Sequence, residues 1–155
     1  MKQIVAFTCL AFVAACSTDL GTFTAGEGTS VADLPEQFRH ARKPQRYWRV
    51  EIASKRDLSD KDLGSLYVVV DTCPLDREKA VIGFGPFTSS GAPLPGDERL
   101  VPQANGRFSY VIYLPLEDDD WRERFSGASQ LCAAITHPEY PREALSKAFT
   151  VELPN

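Results

Sequence analysis

Apolar and polar residues alternate over residues 48–53, with Trp48, Val50 and Ile52 set against Arg49, Glu51 and Ala53. This period of two predicts a strand with one buried and one wet face. Residues 54–65 are polar and turn-like. Residues 66–70 then form a continuous apolar run, the pattern of a central strand covered on both faces. The run stops before Cys73-Pro74, where proline cannot continue a ladder. Residues 79–84 predict a third strand, closed by Gly85-Pro86. Residues 88–97 carry Ser, Gly and Pro without periodicity and read as the longest loop of the domain. Residues 99–101 and 107–109 flank Asn105-Gly106, a strong hairpin signal because both turn residues tolerate positive φ. Phe108, Tyr110, Ile112 and Leu114 share one face of a long strand that Pro115 ends. Residues 130–136 and 147–153 complete the series. Leu131, Ala133 and Ile135 point inward on the first of these and Cys132 outward, while Phe149, Val151 and Leu153 point inward on the second.

One segment breaks the period of two. Asp118, Asp119 and Asp120 precede Trp121 and Phe125, which share a helical face at i and i+4, and Gly127 follows the last turn. An acidic first turn and a terminal glycine predict a short helix. Many short strands, one short helix and no βαβ alternation predict an all-β fold. The expected architecture is an antiparallel two-sheet β-sandwich, Ig-like or transthyretin-like, over residues 46–155. Cys73 and Cys132 are spaced much as the inter-sheet cysteines of an immunoglobulin domain. The tryptophan such a domain places between them is out of position, since Trp121 falls on the helix.

The N-terminus has a different pattern. Met1 and Lys2 form a short positive region, and the apolar run from Ile4 closes on small residues at Ala14 and Ala15. This is the form of a secretory signal peptide over residues 1–15, too short for a membrane span of about 20 residues. Val13-Ala14-Ala15-Cys16 resembles the lipobox of bacterial lipoproteins position for position. The resemblance implies a thioether-linked diacylglycerol on Cys16, cleavage before it and acylation of the new N-terminus. Ser17 stands where enteric lipoproteins retained in the inner membrane carry Asp, which implies sorting to the outer membrane, facing the periplasm. Several acyl chains, at about 0.8 kcal/mol per buried methylene, hold where one would release.

Residues 16–45 read as a lipidated tether. Residues 17–32 are rich in Gly, Thr and Ser without apolar period, and such a segment is expected to be disordered. Residues 33–42 predict two helical turns with Pro35 in the first turn and cations at the end. As coil, residues 17–45 would reach on the order of 30 Å. Arg39, Arg42, Lys43, Arg46 and Arg49 form a basic cluster that reads as a solvated linker, with contact to anionic lipid as the alternative.

Loss of Lys2 with the signal leaves 16 basic against 21 acidic residues, a net charge of about −5 that argues against nucleic acid as a partner. Of four cysteines, Cys9 leaves with the signal and Cys16 takes the lipid. Cys73 and Cys132 remain as an even pair in an oxidising compartment, and a disulfide between them is expected. Closing a loop of that length stabilises by roughly 4 kcal/mol on the chain-entropy account.

Candidate chemistry is sparse. His40 lies in the tether and His137 opens the segment His137-Pro138-Glu139-Tyr140-Pro141. No GxSxG elbow accompanies any serine, no His or Cys pair has zinc spacing, and residues 60–64 match a calcium loop poorly. No catalytic residue, metal or cofactor is expected. Tyr67, Tyr113 and Tyr140 are the aromatics that fall on outward positions. The pattern predicts a non-catalytic envelope lipoprotein that binds another protein as an assembly accessory, inhibitor or immunity factor. The alternatives are an envelope hydrolase using His137 with Glu139 or Glu143, or a small-ligand binder. The expected contact surface is the loop at 88–97 together with 137–142, where His137, Tyr140 and Arg142 supply the groups that dominate hot spots.

Overall fold

The computed structural model describes residues 19–36, 46–96, 99–137 and 146–154. Among them run the strands β1 (Phe23–Val31), β2 (Tyr47–Ser54), β3 (Tyr67–Asp71), β4 (Val81–Ile82), β5 (Phe84–Phe87), β6 (Phe108–Leu114), β7 (Gln130–Thr136) and β8 (Phe149–Glu152). One helix, α1 (Asp119–Arg124), links β6 to β7, and a 3-10 turn at Lys61–Leu63 precedes β3. The strands form two four-stranded sheets, β1-β2-β6-β5 and β4-β3-β7-β8. Every ladder is antiparallel. The fold is the all-β two-sheet sandwich that the alternation predicts. Its strand order corresponds to the A-B-E-D and C-F-G sheets of an immunoglobulin constant-type sandwich, with β4 added outside β3.

The core lies between the inner faces. Val50 and Ile52 of β2 meet Tyr110, Ile112 and Leu114 of β6, and these pack on Val68 and Val70 of β3, Leu131, Ala133 and Ile135 of β7, and Phe149 and Val151 of β8. A second apolar cluster covers the outer face of β6, where Val111 and Tyr113 pack with Tyr47, Phe87 and Leu34. β6 is therefore buried on both faces and shields its ladder from water. Asp118 caps α1 by accepting from the Asp120 amide at 3.2 Å. Trp121 and Phe125 meet edge-on at 5.2 Å between ring centres and join the main core.

Five expectations are corrected. Much of the presumed tether is structure: β1 pairs with β2 from Phe23 opposite Ser54 to Val31 opposite Tyr47, and Leu20 and Phe23 are buried in the main core. The folded unit therefore begins well before residue 46. A register shift between Ala25 and Gly28 hides β1 in the sequence, because it breaks the alternation partway along. Of the two helical turns placed at 33–42, Asp33, Leu34, Pro35 and Glu36 are described, with only Glu36 in a 3-10 turn. The remainder lies outside the described residues.

The third expected strand is two strands in different sheets, separated at Gly83. At the Asn105-Gly106 turn, the Gly106 amide donates to the Gln103 carbonyl at 2.8 Å, but strand continues only on the β6 side. The cysteines are bonded, with Cα atoms 5.0 Å apart. Cys132 on β7 stands opposite Asp71 at the end of β3, so the bond staples neighbours within one sheet. An immunoglobulin disulfide crosses between sheets.

Candidate functional site: an edge groove

Two glycines move the chain from one sheet to the other. β4 pairs with β3 only at Ile82 opposite Val69 and Val81 opposite Val70, and the Gly83 amide then donates to the Val68 carbonyl at 3.0 Å. At Gly83 the chain passes between the sheets, so close that an added Cβ would stand 2.9 Å from Val68 Cγ1 and 3.1 Å from Leu114 Cδ2. Gly85 adopts φ +113°, and a Cβ there would stand 2.9 Å from the Val111 carbonyl. Both positions exclude side chains. Phe84 and Phe87 then pair with Tyr113 and Val111 of β6.

The departure of the chain from β3 opens a groove of about 620 Å³. One wall is the segment from Gly64 to Tyr67, and the other is β5 with Pro93, Leu94 and Pro95. Ile82 and Tyr67 are 61% and 37% exposed, the large apolar and aromatic groups that this edge presents to water. Among the described residues, no lining residue is a carboxylate or a cation. The groove offers aromatic and proline faces, backbone groups and the hydroxyls of Ser65 and Tyr67. Such a lining binds by desolvation and directional hydrogen bonds.

The proline wall is well tied. The Thr88 amide donates to the Ala92 carbonyl at 2.8 Å, the Ala92 amide to Thr88 Oγ1 at 3.0 Å, and the Gly91 amide to the Thr88 carbonyl at 2.9 Å. Phe87 bridges Pro93, and Leu94 is buried in the main core. The stretch read as a long aperiodic loop is thus a short hairpin whose far side plugs into the sandwich.

His137 stands against Gly64 of the other wall. Gly64 has φ +64°, and a Cβ on it would stand 2.5 Å from His137 Nε2. Pro93, Leu94 and Pro95 thus line the groove, and His137 stands behind the Gly64 of its other wall. Tyr140, Arg142, Glu139, Glu143 and Cys16 lie outside the described residues. Tyr67 lines the groove, while Tyr113 is buried in the second cluster. Among the described residues, no three His, Cys, Asp or Glu side chains gather to hold a metal ion.

Sequence reasoning passed over Leu66, Ile82 and the glycine pair. The signal for them was present: two glycines at 83 and 85 inside an otherwise apolar run mark a bend or a close backbone approach. A smaller hollow of about 290 Å³ lies beside α1, against Trp121, Phe125 and Leu153. Comparison with protein-family models, with curated proteins and with solved structures finds no match to this chain.

Proposed function

We propose that this chain is a lipid-anchored, non-catalytic envelope protein that binds another protein through the groove between Tyr67 and Pro95. The observation that carries the reading is an uncharged, partly aromatic groove at a sheet edge, with Ile82 61% exposed beside it. Exposed apolar groups set beside rigid proline walls are the makings of an interface core. His137 stands beside this surface, against Gly64, and the sequence reading of His137, Tyr140 and Arg142 as contact residues belongs to the same proposal. The lipobox at residues 13–16 supports anchorage through Cys16 in the outer membrane, facing the periplasm. No nucleic acid enters this reading.

The test is a photo-crosslinking residue placed at Ile82 in cells, with Val101, 84% exposed, as the control position. A discrete protein adduct from position 82 and none from position 101 is the expected result; equal labelling from both would overturn the interface. In parallel, Cys16→Ser should abolish palmitate labelling and release the cleaved chain from membranes. A wild type without label would remove the anchor from the reading.

A second reading rests on size, since about 620 Å³ lies within the roughly 300–1,000 Å³ of small-molecule sites. It predicts that the purified protein carries an extractable apolar molecule, displaced by Ile82→Glu.

A further inference from the structure

We propose that the occupant of the groove is an uncharged, extended segment of another chain, added as a strand beside Leu66 where β4 leaves off. This deepens the protein-binding reading above and rests on it. In an antiparallel ladder the amide and carbonyl of one residue point to the same side, and successive residues alternate. The Val68 carbonyl accepts from Gly83, so Val68 faces β4, and Val69 faces β7. By the same alternation, the next groups on the β4 side belong to Leu66. The residue that would meet them, two beyond Gly83, is Gly85, which has already crossed into the other sheet as part of β5. No backbone hydrogen bond links Leu66 to any described residue on that side. Leu66 is buried in the main core and lines the groove, and by the alternation its amide and carbonyl face that side.

The opposite wall is poor in donors for the missing pairing. Pro86, Pro93 and Pro95 have no N–H to donate. What fits is a backbone that brings its own donor and acceptor in extended form, the mode by which strands are added to open sheet edges. Charge narrows the chemistry further. In a chain of which 25% of residues are charged, none of the described lining residues carries a charge, so a charged side chain entering among them would lose water without compensation. At about 620 Å³ the groove holds a segment of a few residues. Ile82 and Tyr67 offer apolar contact to alternate side chains of the guest.

The test is selection of nine-residue random peptides, displayed on phage, against the full mature chain, with Ile82→Glu as the counter-target. Ile82 is exposed, so the variant keeps the fold. The expected winners alternate β-branched or aromatic residues, carry no charge at their centre, and shift the Leu66 amide resonance on binding. Methylation of the peptide nitrogen that faces Leu66 should weaken binding at least tenfold, as loss of a backbone hydrogen bond at a desolvated edge implies. Winners that bind equally well when methylated, winners that are charged or helical, or no enrichment over Ile82→Glu would each overturn strand addition. If the position-82 crosslink persists in those cases, protein binding stands and only its mode is wrong; if the crosslink is absent too, both fall.

Discussion

Gly28 of β1 lies flat against the indole of Trp48, where a Cβ on the glycine would stand 2.2 Å from Nε1 and 2.3 Å from Cε2. The indole then reaches across the sandwich, and its Nε1 donates to the Glu152 carbonyl on β8 at 2.9 Å. One glycine thus lets a tryptophan on the first sheet tie to the edge of the second. Gly28→Ala should cost about 1–3 kcal/mol, the usual range for overpacking. Urea denaturation checks it, and hydrogen exchange should show the loss concentrated in β1.

A chain beginning at Arg46 should fail to fold, and one beginning at Asp19 should fold. The shorter chain loses Leu20 and Phe23 from the core and exposes the β2 ladder. Dispersed amide resonances from the shorter chain would show that β1 is dispensable.

Arg124 at the end of α1 donates to Asp71 Oδ1 at 3.1 Å and also to the Lys79 carbonyl, with its guanidinium 5.6 Å from the Phe125 ring centre. The Asp71 side chain is 8% exposed. Removal of the cation leaves a buried carboxylate without its charge partner. Arg124→Met should therefore destabilise by about 3 kcal/mol, the lower end for a broken buried pair. The double variant Asp71→Asn, Arg124→Met should regain most of that loss; a strictly additive result would remove the pair as the cause.

Tyr110 closes the loop after β2 from inside the core. Its hydroxyl donates to the Arg56 carbonyl and accepts from the Leu58 amide at 3.1 Å. Burial pushes the phenol well above its ordinary value near 10. The folded protein keeps the proton and the unfolded chain releases it. This contribution to stability is therefore level below about pH 10 and falls as pH rises further. Tyr110→Phe should flatten that alkaline loss and cost about 1–3 kcal/mol at neutral pH by leaving the Leu58 amide unpaired. Stability curves at pH 7 and above 10 measure both.

Cys73→Ser should lower stability by about 4 kcal/mol on the loop-closure account, for residues 59 apart in sequence. Mass spectrometry without reductant should recover the Cys73 and Cys132 peptides joined. Recovery as free alkylated thiols would contradict the bond.

Periodicity was most legible where one strand faces one core. Val50 and Ile52, the even positions of β6, and the odd positions of β7 and β8 are all inward as their alternation implies. It failed where geometry departs from a plain ladder. β1 carries a register shift and turns two glycines toward packing and close approach, which composition alone renders as linker. Residues 79–87 change sheets at Gly83, so their apolar run belongs to two faces at once. The groove shares that origin: Leu66 and Ile82 matter through what β4 leaves unpaired, and a missing neighbour has no residue pattern of its own. The loop at 88–97 and His137 stand out in the sequence because prolines interrupt the strand pattern there.

The row of pairings that starts at Gly21 sets the distance between the start of the sandwich and the groove, and under the proposed anchorage that distance has a consequence. Gly21 bridges Ser146, Ser146 Oγ accepts from the Ile135 amide at 2.9 Å, and Ile135 stands opposite Val68 beside the groove. Three strand spacings, about 14 Å, separate the first residues of the sandwich from the open edge. Leu20 is buried four positions after Cys16, and four residues span at most about 14 Å. A lipid on Cys16 would hold the groove within a few nanometres of the bilayer. Encounters would then be confined to a thin layer above the membrane, where guests displayed by proteins of the same leaflet meet the open edge far more often than those diffusing freely.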